Sequence, residues 1–290
     1  MKNIVKFLIV FTTYTIVFIL ANGMMPFSQA FKEASARTAA GPLDLLYVVI
    51  SCLWFSSTIC YTVYHTKWKG VKLALGVITV ISLVHPVLTQ VETLFFGSAF
   101  TVISKSDILL IMLAGILPLL ASVPLAVKMW RKEKSRESVY DSPINVTKLA
   151  ISIVLVGFVY MIVYFVFGYF VAWKSEAVRI FYSGDSQDIG FGAKLLENWR
   201  ENPVIYPLQF MRGILFGVAA SPLLYMGRNR RREFIISICL LYLCTAIVLI
   251  IPNFLFPDMV RWAHFIEMFL SMLLFGVMTG LIMSRASQRE

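Results

Sequence analysis

The chain has 290 residues, 59% apolar and only 14% charged, with a mean hydropathy of +0.78 and a formal net charge of +10. Soluble proteins carry about 25% charged residues, so a soluble enzyme, a disordered chain and a secreted disulfide scaffold are excluded. The apolar residues suffice for roughly eight spans of about 20 residues, which predicts an all-α polytopic membrane helical bundle.

The first apolar segment, 4–22, follows Lys2 and Lys6 and invites reading as a signal peptide. It is longer than a usual signal core and ends in a poor cleavage site at Ala21-Asn22-Gly23, so an uncleaved helix is expected. Segments 43–65, 71–96, 107–129, 148–172, 204–227, 234–256 and 259–284 complete eight transmembrane helices with both termini cytoplasmic. Basic residues collect on one side. Lys67, Lys69 and Lys72 mark the turn into span 3, Lys128, Arg131, Lys132, Lys134 and Arg136 the end of span 4, and Arg228, Arg230, Arg231 and Arg232 the loop after span 6. The positive-inside rule assigns these segments to the cytoplasm and the chain to the cell inner (plasma) membrane. The basic excess is thus a topology signal, and no nucleic-acid partner is expected. The last two spans hold no lysine for a retinal Schiff base.

Residues 1–290 read as a single integral membrane domain. Segment 130–147 is expected to be a flexible cytoplasmic loop, which leaves the glycosylation acceptor Asn145-Val146-Thr147 on the wrong face. Segment 173–203 reads as an external interfacial loop. Its KSEAVRIFYSG start and AKLLENWR end suit two short amphipathic helices around 184–192, with Trp173 and Trp199 as interfacial anchors, forming a lid on the membrane surface. Cys52, Cys60, Cys239 and Cys244 all fall in spans without a CxxC, so no disulfide, zinc or iron–sulfur site is implied.

Ionisable groups within spans are costly and call for partners. Span 3 carries Ser82, His85, Thr89 and Glu92 at 3-4-3 spacing, one face of a regular helix. Span 6 carries Tyr206, Gln209 and Arg212, and span 8 carries His264, Glu267 and Ser271 with Arg261 at its mouth. At about 1.5 Å of rise per residue, these groups form two layers in the outer half of the bilayer. Matched depth predicts an Arg212–Glu267 ion pair and, nearer the surface, a Glu92–His264 pair. The candidate ligand-binding residues are therefore His85, Glu92, Gln209, Arg212, His264 and Glu267. Glu92, His264 and Glu267 could in principle supply three metal ligands, but the chain has only three histidines, and neither a metal nor a cofactor is expected. Pro86 should kink span 3, and Pro118 and Pro124 should bend span 4. Gly213-x-x-x-Gly217 and Gly276-x-x-x-Gly280 allow close approach and suggest that spans 6 and 8 touch.

The stretches FGYFVAWKSEAVRIFYSG (167–184) and PDMVRWAHFIEMFLSMLLFG (257–276) resemble segments of uncharacterised bacterial multi-pass membrane proteins, a group without an assigned activity. That resemblance implies no cofactor and no catalytic residue. It marks the loop after span 5 and the start of span 8 as the distinctive parts. Phosphate-loop, zinc-hydrolase and serine-hydrolase motifs are missing. Three functional readings are compatible with this pattern. The first is a small-solute transporter with a polar site in the outer half of the bilayer. The second is a non-catalytic assembly or signalling partner. The third is an outer-leaflet enzyme on a lipid-linked substrate, with Glu267 or His264 as base and Arg212 holding a phosphate.

Overall fold

A computed structural model of the chain describes residues 2–38, 41–95, 103–130, 144–227 and 231–287; the expectation for the loop 130–147 lies almost wholly outside these. Among the described residues the structure is helical, and its one strand-like pairing is the isolated bridge between Thr66 and Gly227. Eight stretches among them are long and apolar enough to cross a bilayer. These are α1 (Lys2–Met24), α3 (Asp44–His65), the broken pair α4 (Gly70–Ser82) and α5 (Leu88–Phe95), α6 (Lys105–Met129), α7 (Val146–Phe167), α10 (Ile205–Met226), α11 (Arg231–Ile247) and α12 (Asp258–Ser284). Three shorter helices, α2 (Gln29–Arg37), α8 (Glu176–Ser183) and α9 (Phe191–Glu201), lie between spans. The chain is a multi-pass membrane protein in contact with the lipid bilayer.

The bundle shows the exposure pattern that lipid demands. Ile4, Leu8, Ile16 and Leu20 of α1 stand on its exposed side, while Val10 and Tyr14 turn inward and Tyr14 stacks on Phe55 of α3 at 5.4 Å. Hydroxyls that would otherwise meet hydrocarbon unpaired donate to carbonyls four residues back, as Thr13 does to Ile9 and Thr15 to Phe11. Between helices, Ser51 Oγ donates to Ile247 O at 3.2 Å, Trp54 Nε1 to Leu240 O at 3.1 Å and Tyr242 Oη to Phe216 O at 3.0 Å.

Close approach follows the small residues, but with partners other than those expected. A Cβ on Gly213 would lie 2.8 Å from Gly157 Cα, so the glycine pair of α10 seats that helix on α7. On α12, Gly276 and Gly280 face Cys239 and Ile235 of α11. The glycines thus seat span 6 on α7 and span 8 on α11, while the expected contact between spans 6 and 8 is made by the neighbouring Phe216 and Phe275, at a ring distance of 5.8 Å.

Span 3 breaks at Pro86, as the sequence predicts, and the break takes the form of a π-turn over Leu83–Val87. Proline cannot donate to the carbonyl four residues back, and the wider turn absorbs the defect. Such a turn adds roughly one residue, rotating the residues beyond it by about 100° relative to a regular helix. The single polar stripe expected on this span is therefore divided. A second π-turn, Gly168–Ala172, prolongs α7 toward α8. By contrast, α6 runs as one helix through Pro118 and Pro124, with Ser122 Oγ donating to Pro118 O at 2.6 Å.

An unforeseen tie joins α2 to α6. Asp107 is fully buried, and its carboxylate accepts from Ser28 N at 2.8 Å, Ser28 Oγ at 2.7 Å, Ser104 N at 3.0 Å and Ser104 Oγ at 2.6 Å. One carboxylate thereby completes the capping box of α6 and fixes the serine that caps α2.

Candidate functional site

The polar residues of α5, α10 and α12 gather toward the end of the bundle that carries α8 and α9. At its centre Arg212 is 2% exposed. Its Nη2 lies 2.8 Å from Glu92 Oε2 and its Nη1 donates to Gln209 Oε1 at 2.9 Å. Its guanidinium carbon lies 5.5 Å from the centre of the Tyr160 ring. The ion pair is therefore Arg212 with Glu92, and the expected Arg212–Glu267 pair does not form. Two effects account for this. The π-turn swings Glu92 toward α10, and the long arginine stem carries its charge away from the depth of its own Cα.

Glu267, 8% exposed, finds its contacts on its own helix. Ser271 Oγ donates to Oε1 at 3.3 Å, and Oε2 lies 3.8 Å from His264 Nδ1. The expected Glu92–His264 pair is likewise replaced, because His264 Nε2 meets the hydroxyl of Tyr182 at 3.1 Å. Arg212, Glu92 and Glu267 all lie within electrostatic reach of Tyr160 and Tyr164 on α7. The layer thus holds two carboxylates against one guanidinium, beside the buried Tyr160 and the half-buried Tyr164.

Not every predicted residue joins it. The ring of His85 lies 4.8 Å from that of Phe55, and its buried Nδ1 has no hydrogen-bond partner. Arg261 is absorbed by architecture. It is 2% exposed, its Nη1 donates to Leu249 O and Ile250 O at the end of α11, and its Nη2 sits 2.8 Å from Asp258. Glu92, His264 and Glu267 do not form a metal-ligand cluster, and no group of three or more candidate ligands occurs among the described residues.

Donors remain unmet within the layer. Gln209 Nε2 and Arg212 Nε are both buried and lack partners, although Gln209 is 0% exposed. Leaving a buried donor unpaired costs about 1–3 kcal/mol, so their retention asks for a reason. Directly beneath lies an aromatic plug. Phe216 stands one turn beyond Arg212 and Phe275 one turn beyond Ser271. With Tyr160 and Tyr242 they pack at ring distances of 4.9–5.8 Å, each 6% exposed or less.

Tyr182, which sequence reasoning missed, comes from α8. This helix is held to the bundle by Val178, which packs with Ala172 and Val260, and by the Phe181–Phe256 contact at 5.9 Å. Arg179 fixes its start, donating to Trp173 O at 2.8 Å and Ser186 O at 2.7 Å. Gly184 ends the helix in the left-handed conformation, φ 72°. The loop beyond it is tied back by Lys174–Asp188 at 2.8 Å and by Tyr169 Oη donating to Ile189 O. The Lys174–Asp188 hydrogen bond raises the pKa of Lys174 and lowers that of Asp188. The amphipathic signature of KSEAVRIFYSG located α8, but nothing in it marked Tyr182 as the residue that meets His264.

Fold and site together define a multi-pass helical membrane protein with a charged layer near one end. Compared with known proteins, the chain matches no family model, no curated sequence and no solved structure.

Proposed function

We propose that the protein is a small-solute transporter whose binding site is built from Glu92, Gln209, Arg212, His264 and Glu267. The observation that carries the reading is the pair of orphaned donors, Gln209 Nε2 and Arg212 Nε, beside a carboxylate left over once Arg212 is paired with Glu92. A layer serving only to lock helices would be neutral and saturated. This one offers donors for an oxygen of the solute and, in Glu267, a negative charge for a proton or cationic group. The aromatic plug below supports a conformation closed toward the far end, with α8 over the near one. Basic loops assign that near end to the outer face.

The enzyme reading loses support from the same geometry. The charge of Arg212 is already paired with Glu92, which leaves its one orphaned Nε–H for a neutral solute oxygen but no free charge for the phosphate of a lipid-linked substrate. An assembly role would leave the orphaned donors without purpose.

Gln209→Leu tests the transporter reading. The change removes the orphaned Nε2 but also the Oε1 that accepts from Arg212 Nη1, so thermal stability should fall by about 1–2 kcal/mol, whatever the layer does. If the amide binds solute, the variant should also lose uptake, measured with a panel of small polar solutes in proteoliposomes, or the thermal shift those solutes cause. A folded variant with unchanged uptake and an unchanged solute-induced shift would reduce the layer to packing.

A further inference from the structure

We infer that Tyr182, His264 and Glu267 form a blind-ended proton path, with Glu267 the site that is loaded and unloaded. The inference rests on the transporter reading for its purpose, since it supplies the coupling ion, but not for its chemistry.

The order of groups is the argument. Tyr182 is 40% exposed at the end of α8 and is followed by the exposed residues Ser183, Gly184 and Asp185, an aqueous edge. Its hydroxyl lies 3.1 Å from His264 Nε2, whose ring it meets edge-on at a centroid distance of 5.6 Å. The other imidazole nitrogen, Nδ1, is 3.8 Å from Glu267 Oε2, a gap that a small side-chain rotation or one water closes. Glu267 Oε1 then accepts from Ser271. From His264 to Ser271 the string descends about 10 Å along α12, two helical turns. The next turn presents Phe275, fully buried in the aromatic plug, and there the path ends.

The chemistry fixes the direction of each bond. An ionised Glu267 can only accept, so the neutral imidazole carries its hydrogen on Nδ1 and leaves Nε2 to accept from Tyr182. In one transfer, a hydronium ion at the aqueous edge gives a proton to the Tyr182 oxygen, leaving water, as that oxygen releases its own to His264 Nε2. Nδ1 then passes its hydrogen to Glu267. The net change is one proton moved from the aqueous edge to the carboxylate. Tyr182 is restored, and His264 remains neutral with its hydrogen now on Nε2; the reverse steps, Glu267 returning its proton to Nδ1 as Nε2 releases one through Tyr182 to water, unload the site and reset the path.

The surroundings keep Glu267 available for this cycle. Arg212 of α10 is committed to Glu92 of α5, and Arg261 to Asp258 and the end of α11, so neither cation sits on Glu267. From α7 come the neutral Tyr160 and Tyr164. From α11 come Tyr242, which stacks on Phe275, and Cys239, which packs on Gly276. The second carboxylate, Glu92, reaches Tyr182 electrostatically together with Glu267, favouring entry of positive charge along this route.

The test follows the carboxyl group itself. Full-length protein in nanodiscs is stepped from about pH 8 to about pH 3, a window that covers the ordinary glutamate range, while infrared difference spectra record the C=O stretch of a carboxylic acid in apolar surroundings. The band should grow in the native protein and be missing in Glu267→Gln. Tyr182→Phe keeps the ring against His264 and removes the hydroxyl. It should slow the growth of the band by about tenfold or more and leave its final size unchanged. His264→Gln should also slow it. A band that survives Glu267→Gln, or a rate indifferent to Tyr182→Phe, overturns the inference. Solute-induced stabilisation without the carboxyl band would sink the proton path and spare the transporter. The band without any solute response would support the path and sink the transporter.

Discussion

Arg212 and Glu92 form an unequal pair, since the arginine side chain is 3% exposed and the glutamate side chain 28%. A charge left alone behaves according to what it can reach. Arg212→Met keeps the volume and strands Glu92, which has access to water, so the loss should be about 1 kcal/mol. Glu92→Gln leaves the guanidinium in the interior without a counter-charge, with only neutral amide oxygens such as that of Gln209 to accept from it, and the loss should approach about 3 kcal/mol. The double variant should recover part of it. Thermal unfolding of the four proteins checks this, and strictly additive losses would exclude direct contact. The sequence supplied both members of this pair but matched them wrongly, because Cα depth ignores where a long side chain delivers its charge. Tyr182 was hidden for a different reason. An aromatic hydroxyl on a surface helix is read as an interfacial anchor unless its partner is known. Asp107 was hidden because Ser28, which it binds besides the neighbouring Ser104, comes from a distant part of the chain.

Helices in lipid are apolar on nearly all faces, so periodicity locates a span without saying which side meets which neighbour. Steric room then decides, and the two glycines of α10 make the point. A Cβ on Gly213 would press on Tyr160 Cβ at 2.5 Å and on the Gly157 backbone at 2.8–2.9 Å, whereas one on Gly217 would meet Val156 and Ile153 at 3.4–3.6 Å. Gly213→Ala should therefore lower stability by about 2–3 kcal/mol through forced separation of α7 and α10, while Gly217→Ala should stay within about 0.5 kcal/mol. Thermal unfolding of the two variants in detergent checks the contrast, and equal effects would contradict the α7–α10 packing. The same motif read from sequence had suggested contact with α12, which exists at Phe216–Phe275 but not at the glycines, since spacing records that a helix can be approached closely and not by which neighbour. The π-turn at Leu83–Val87 was legible only as a break at Pro86. Its rotational consequence separates His85 from Glu92 and could not be counted from a 3.6-residue repeat.

At the scale of the molecule, hydropathy located all eight spans, to within a residue at the start of α3 and of α12, because exclusion from water acts on each helix by itself. Orientation rests on charge. Lys67, Lys69, Arg231 and Arg232 stand at one end of the bundle, where Thr66 Oγ1 donates to Met226 O at 2.9 Å and clasps α3 to α10. The opposite end carries α8, α9 and the charged layer, with Asp185 and Asp188 offsetting Lys174 and Arg179. Each cationic residue retained on the inner side adds to the bias, and four at one end outweigh a balanced set at the other. Reporter fusions at Gly70, Ser138, Asn229 and the C-terminus should therefore read cytoplasmic, and a fusion at Ser183 should read external. A cytoplasmic signal from Ser183 would leave the helices and the Arg212–Glu92 pair as they are but invert the molecule, so that solute and proton would approach Tyr182 from inside the cell.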